Sequence, residues 1–317
     1  MDKNQKKILS IIFFLVIVMF VGSVYVKYEI PNISHKVFGV TYMTMNNPFY
    51  EVINNELLKV VESYGDDLLT LDPALDIDKQ IEQIYSFIEQ KVDGIFVNPI
   101  DSKKVLPALE AAKKVNIPVI VVDAPILDST LSDCTIVSNN YDAGVQCAKD
   151  MMERMDEANI ILLKHSAVSS AKDRIEGFLD TIAPYQQYHI INEGECEGQL
   201  ELAMPLMQKM LKETPNVDVV MALNDPSALG ALAAIESHHL DNVIVYGIDG
   251  TPDVKSLIRH NSMVAGTVAQ SPISIGHIAG ENMYALLRGE NILSEVIIPV
   301  TLINKKNIND YDEMGWQ

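Results

Sequence analysis

From residue 36 onward, short runs of β-branched and aliphatic residues recur between turn formers, and stretches with helical spacing separate them. Ten such runs predict strands at 36–43, 67–72, 94–99, 118–124, 134–139, 159–165, 188–192, 217–225, 242–250 and 263–270. The intervening segments 50–64, 77–90 and 142–155 carry apolar residues at helical intervals. Unbroken apolar strands that alternate with helices predict parallel sheets covered on both faces. Ten strands exceed a comfortable single sheet, so the pattern predicts two doubly wound α/β lobes.

Ahead of this body runs an uncharged stretch, residues 8–26, sequence ILSIIFFLVIVMFVGSVYV. As a helix it would span about 28 Å, close to the hydrocarbon thickness of a bilayer. Lys3, Lys6 and Lys7 precede it against Asp2 alone, which predicts a cytoplasmic N-terminus and an extracytoplasmic body. Gly22-Ser23 comes nearest to a cleavage site, and the first cysteine is Cys134. The run therefore predicts an uncleaved single-pass anchor rather than a signal peptide or a lipid attachment site, with a secreted form following if it is cut.

The net charge is −19, with 48% hydrophobic and 21% charged residues, which excludes a disordered chain and argues against nucleic acid as a partner. Cys134, Cys147 and Cys196 are too scattered for a disulfide scaffold and read as small buried residues, with room for one bridge. No HExxH, CxxC, phosphate-cradling glycine loop or serine elbow occurs, so neither metal nor cofactor is expected.

In doubly wound sheets, ligands sit beyond the carboxyl ends of the strands. Those ends carry Asn47, Phe49 and Tyr50 after the first strand and Asp123 after the fourth, with Arg174 following the sixth. Asn224 and Asp249 end the eighth and ninth strands, and Gln270 ends the tenth. Planar hydrogen-bonding groups together with aromatic rings suit a carbohydrate, whose hydroxyls pair in the plane while its C–H face packs on a ring. Asn and Asp at such positions equally serve as helix caps, and Asp225 before Pro226 reads as one.

The segments Asn46-Asn47-Pro48-Phe49-Tyr50, Ile117-Pro118-Val119-Ile120 leading to Asp123, and Arg174-Ile175-Glu176-Gly177-Phe178 belong together with three more. These are Asn224-Asp225 with Ala228-Leu229-Gly230-Ala231-Leu232, Gly247 to Asp253, and Thr267-Val268-Ala269-Gln270. In them the chain resembles the type I periplasmic sugar-binding proteins, ribose-binding branch, from about 36 to 304. The resemblance implies a lobe of 36–138 with 271–299 and a second of 139–270 with 300–317, after the cytoplasmic stub, anchor and linker that the apolar run places at 1–35. Hinge crossings would fall near Ser138-Asn139, Gln270-Ser271-Pro272 and Pro299-Val300. It further implies that Asn47, Asn224 and Gln270 bond sugar hydroxyls and that Phe49 and Tyr50 line the ring. Asp123 and Asp249 would accept from hydroxyls, and Arg174 would donate.

Two positions depart from the ribose pattern. Ala124 stands where it has an arginine, and Cys196-Glu197-Gly198-Gln199 stands where it has an aromatic. Trp316, the only tryptophan, follows the last hinge and is a poor replacement for that ring. A pentose such as D-xylose is therefore favoured over ribose. Asp123 and Asp249 as a glycosidase pair are disfavoured, because Arg174 and amide donors should keep both ionised. The anchor makes the chain resemble the xylose-binding accessory proteins of LytS-type sensor kinases, with a membrane histidine kinase as partner. The alternative is the receptor of an ABC sugar transporter, with a permease as partner.

Overall fold

The computed structural model describes residues 2, 5, 7, 12–20 and 35–317. Residues 12–20 are helical and exposed, and the remainder of the apolar run predicted at 8–26 lies outside the described residues. Among the described residues, no helix is long and apolar enough to cross a membrane. Residues 37–317 form one compact unit.

Six strands make its first sheet: β1 Val37–Thr41, β2 Asp67–Leu71, β3 Gly94–Val97, β4 Val119–Val122, β5 Cys134–Ser138 and β11 Glu295–Ile298. They run parallel in the order β11-β5-β4-β3-β1-β2. The second sheet holds β6 Ala158–Lys164, β7 Tyr188–Glu195, β8 Val219–Ala222, β9 Ile244–Asp249, β10 Val264–Ala269 and β12 Thr301–Asn304. Its order is β12-β10-β9-β8-β6-β7, and β12 alone is antiparallel to its neighbour. Every residue of β3, β4 and β8 is buried, because helices cover both faces, and this is why those strands read as unbroken apolar runs. β11 and β12 extend the ten strands read from the sequence. They are four residues each on sheet edges and partly exposed, so neither produces a continuous apolar run.

Helices α1 Pro48–Ser63, α2 Ile77–Gln90 and α3 Leu106–Lys114 follow the first three strands. In the second lobe come α4 Asn140–Arg154, α5 Ser169–Ile182, α6 Leu200–Glu213, α7 Asp225–Ser237 and α8 Pro252–His260. α9 Pro272–Leu287 returns to pack on α1. The chain thus passes from the first sheet to the second between β5 and β6, back between β10 and β11, and across again between β11 and β12. All three cysteines are buried free thiols, so the one bridge the sequence left room for does not form.

One packing contact positions the site. α4 and α5 meet backbone to backbone through two glycines. A Cβ on Gly144 would lie 1.9 Å from the Arg174 carbonyl oxygen, and one on Gly177 would lie 2.0 Å from that of Tyr141. Helices approach this closely only where a side chain is absent, and the pair sets how far α5 carries Arg174 into the second lobe. Gly177→Ala should therefore lower stability by about 1–3 kcal/mol through overpacking despite alanine's better helix propensity, measured by urea denaturation. An unchanged or raised midpoint would contradict this contact.

Candidate ligand-binding site

In the first lobe the Asn47 Oδ1 accepts from the Phe49 amide at 3.0 Å and caps α1, with Pro48 in the first turn. That cap turns Phe49 and Tyr50 inward, where both are buried. Asp123 follows β4 at φ +67°. Its Oδ2 accepts from Asn98 Nδ2 at 3.2 Å and from the Tyr50 hydroxyl at 3.5 Å, while its Oδ1 has no hydrogen-bond partner in the protein. Asn98 is itself clamped: its Oδ1 accepts from the Met43 amide at 3.1 Å, and its carbonyl accepts from Gln80 Nε2 at 2.9 Å. Sequence reasoning passed over Gln80 and Asn98. Their signal was an amide on the apolar side of α2 and another at the end of β3, both buried.

In the second lobe Arg174 donates from Nε to Asn140 Oδ1 at 2.8 Å and from Nη1 to the Leu223 carbonyl at 2.9 Å. The same Nη1 lies 3.7 Å from Asp249 Oδ1. Asp249 ends β9 at φ +144°, and its Oδ1 accepts from Gln270 Nε2 at 2.8 Å. Asp249 Oδ2 and Gln270 Oε1 are buried without partners. Left-handed or otherwise rare backbone at a non-glycine residue costs on the order of 1–3 kcal/mol and collects at binding sites. Both aspartates of the cleft carry it.

Asp225 does not cap α7, as the sequence reading expected. Asn224 does, its Oδ1 accepting from the Ser227 amide at 3.0 Å while its Nδ2 donates to the Gly198 carbonyl at 3.0 Å. Asn224 therefore reaches the cleft wall with one amide N–H and one lone pair of its oxygen engaged by the protein. Asp225 is wholly buried beneath Asp249's turn. It accepts from Thr251 through both amide (2.8 Å) and hydroxyl (2.9 Å), and from the Thr267 hydroxyl at 2.6 Å.

Asn47, Phe49, Tyr50, Asp123, Arg174, Asn224, Asp249 and Gln270 thus line one cleft of about 40 Å³ between the lobes. Thr44, Leu75, His165 and Ser170 line it too and were not among the predicted site residues, and so do Glu197 and Gln199 of the segment that departs from the ribose pattern. Trp316, set aside as too far along the chain, sits edge-on to Phe49 with ring centroids 5.8 Å apart.

Burial dominates the electrostatics. It pushes the Asp123 carboxyl above the ordinary carboxylate range, against Arg174, Asn98 and Tyr50, which pull it down. Asp249 is pushed up further by burial, with Arg174 opposing and Asp225 adding to the rise. The Tyr50 hydroxyl also rises well above its usual value, first through burial and then through the two aspartates. Arg174 and the amides pull both carboxyls down, as the sequence reading expected, but desolvation outweighs them in the direction of each shift.

Residues 38–291 match the family model described as a periplasmic binding protein domain. The ribose import binding protein RbsB of Bacillus subtilis is 28% identical over 270 residues, covering 84% of this chain and 87% of that protein. RbsB of Escherichia coli is 29% identical over 265 residues, covering 83% and 88%. An ABC transporter solute binding protein from Bacillus halodurans, solved with bound myo-inositol, shares the fold at a TM-score of 0.83 and 24% identity, over 89% of this chain and 98% of that one. These relatives are solute-binding proteins, and the chain is not an enzyme.

A carboxyl raised on folding contributes stability below its unfolded value, about pH 4, and loses it as pH rises through the folded value. Asp249→Asn removes that titration. Its stability relative to the native chain should therefore improve steadily from about pH 4 towards neutrality in urea unfolding. A difference that stays constant or moves the other way would show that Asp249 is not raised.

Proposed function

This chain belongs to the periplasmic binding protein family, and on that premise we propose that it is an extracytoplasmic receptor for a small monosaccharide, handing it to an ABC permease. The observation that carries the reading is the set of three buried acceptor oxygens without donors, Asp123 Oδ1, Asp249 Oδ2 and Gln270 Oε1, on residues that line one cleft. Sugar hydroxyls can supply the missing donors. Arg174 balances the aspartates and donates to a hydroxyl or ring oxygen. Tyr50 and Phe49 offer apolar surface to the C–H face. Asp123 comes from one lobe and Asp249, Arg174 and Gln270 from the other or its hinge, so a sugar bonded to all of them favours closure. A pentose such as D-xylose is our preferred ligand, because Ala124 and the Cys196–Gln199 segment remove a cation and a ring from the ribose pattern.

The relatives named as import binding proteins support delivery to a permease over sensing. The uncharged run 8–26 keeps a second reading: a single-pass anchor that presents the closed lobes to a membrane histidine kinase. Deleting the gene should abolish uptake of the radiolabelled sugar while its transcriptional response persists. Loss of the transcriptional response with uptake intact would favour the kinase.

The binding reading itself is tested by thermal shift of the purified chain against D-ribose, D-xylose, L-arabinose and myo-inositol. A ligand at 100 times its dissociation constant adds about 2.7 kcal/mol to the folded state, a rise of several degrees. Asp249→Ala and Arg174→Ala should each lose the shift. If no member of the panel moves the native chain, the monosaccharide reading falls.

A further inference from the structure

After β12 the chain runs back along α8 and is fastened there. Lys255 of α8 is wholly buried and donates from Nζ to the carbonyl of Asp312 at 2.6 Å and to that of Gly315. One turn on, Arg259 places Nε 2.9 Å from Glu313 and Nη1 2.7 Å from Asn309 Oδ1. Segment 305–317 is thereby part of the second lobe.

Its far end touches the first lobe. The Trp316 ring lies against Phe49 at 5.8 Å and 64°, and Phe49 packs edge-on to Tyr50 at 5.7 Å and 80°. Tyr50 stacks on Tyr42 at 6.0 Å and donates to Asp123. Trp316 does not line the cleft. It borders an adjoining groove of about 350 Å³ with Pro48, Leu200 and Pro252, which shares Asn47 and Gln199 with the cleft. A ring outside the ligand cleft therefore presses, across the lobe boundary, on a ring that lines it.

We propose that segment 305–317 is a strap on the second lobe and that Trp316 is a positioning residue, one that holds the lobes closed over the ligand without touching it. Hinge opening carries Phe49 away from Trp316, so the contact stabilises the closed form alone. An edge-to-face aromatic pair shifts such an equilibrium by about 2- to 10-fold. Affinity scales with the closed population, and a contact broken on opening acts through the rate of release. Because Trp316 makes no ligand contact, its effect is the same factor for every sugar bound.

This inference rests on the receptor reading for its ligand, so the test has one arm with sugar and one without. In the first, stopped-flow release of D-xylose and D-ribose, whichever the native chain binds, is compared in Trp316→Ala and Trp316→Phe. Trp316→Ala should raise the release rate about 2- to 10-fold, by the same factor for both sugars, with the association rate unchanged. Trp316→Phe should restore most of the effect. An unchanged release rate, or a factor that differs between sugars, overturns the strap. In the sugar-free arm, a Phe49→Cys/Trp316→Cys chain is treated with a short bismaleimide. Intramolecular cross-linking supports the contact even if no sugar binds, in which case the receptor reading alone fails. Absence of the cross-link overturns the strap whatever the ligand.

Discussion

Asp123 Oδ1, Asp249 Oδ2 and Gln270 Oε1 are buried acceptors that the protein leaves without donors, at the place where its two lobes meet. Each such oxygen costs about 1–3 kcal/mol in a closed cleft that offers it no hydrogen. Two sit on residues whose backbone is already strained. Apolar contact between the lobes and the ring pair at Phe49 pull the other way. Under the proposed function, a ligand rich in hydroxyls favours closure by supplying donors where they are missing. The same balance accounts for the raised carboxyls, since a desolvated carboxylate short of donors holds its proton more tightly.

A balance of this kind requires that the acceptors be held rigidly, or they would turn away to find partners. Each lobe solves the problem with buried polar groups beneath the cleft. Asn98 and Gln80 tie Asp123's neighbourhood to the end of β1, and Asp225 ties Asp249's turn to Thr251 and Thr267. Asn140 and the Leu223 carbonyl fix Arg174, whose helix is brought into place by Gly144 and Gly177. A side chain with its remaining valences used by the protein has one direction left to point.

Much of this was legible in the order of residues. The strand runs are continuous because both sheet faces are covered, and the residues after them share one edge by topology alone, so Asp123, Asp249 and Gln270 could be grouped before any coordinates. Contacts between distant segments were not legible. Whether Asn224 or Asp225 caps α7 depends on Thr251 and Thr267, which lie in other elements. Trp316 reaches Phe49 only because Lys255 and Arg259 fasten the intervening segment to α8. The upward direction of the aspartates' shifts turned on the depth of burial, which a list of neighbouring charges does not contain. β11 and β12 escaped because short edge strands lack the apolar continuity that marked the others.

The most direct test of the account is a crystal structure of the chain with whichever monosaccharide binds it. The expected result is a sugar between the lobes with its hydroxyls about 2.5–3.0 Å from Asp123 Oδ1, Asp249 Oδ2 and Gln270 Oε1. A sugar bound elsewhere, or one seated in the cleft with those three oxygens still unpaired, would contradict it.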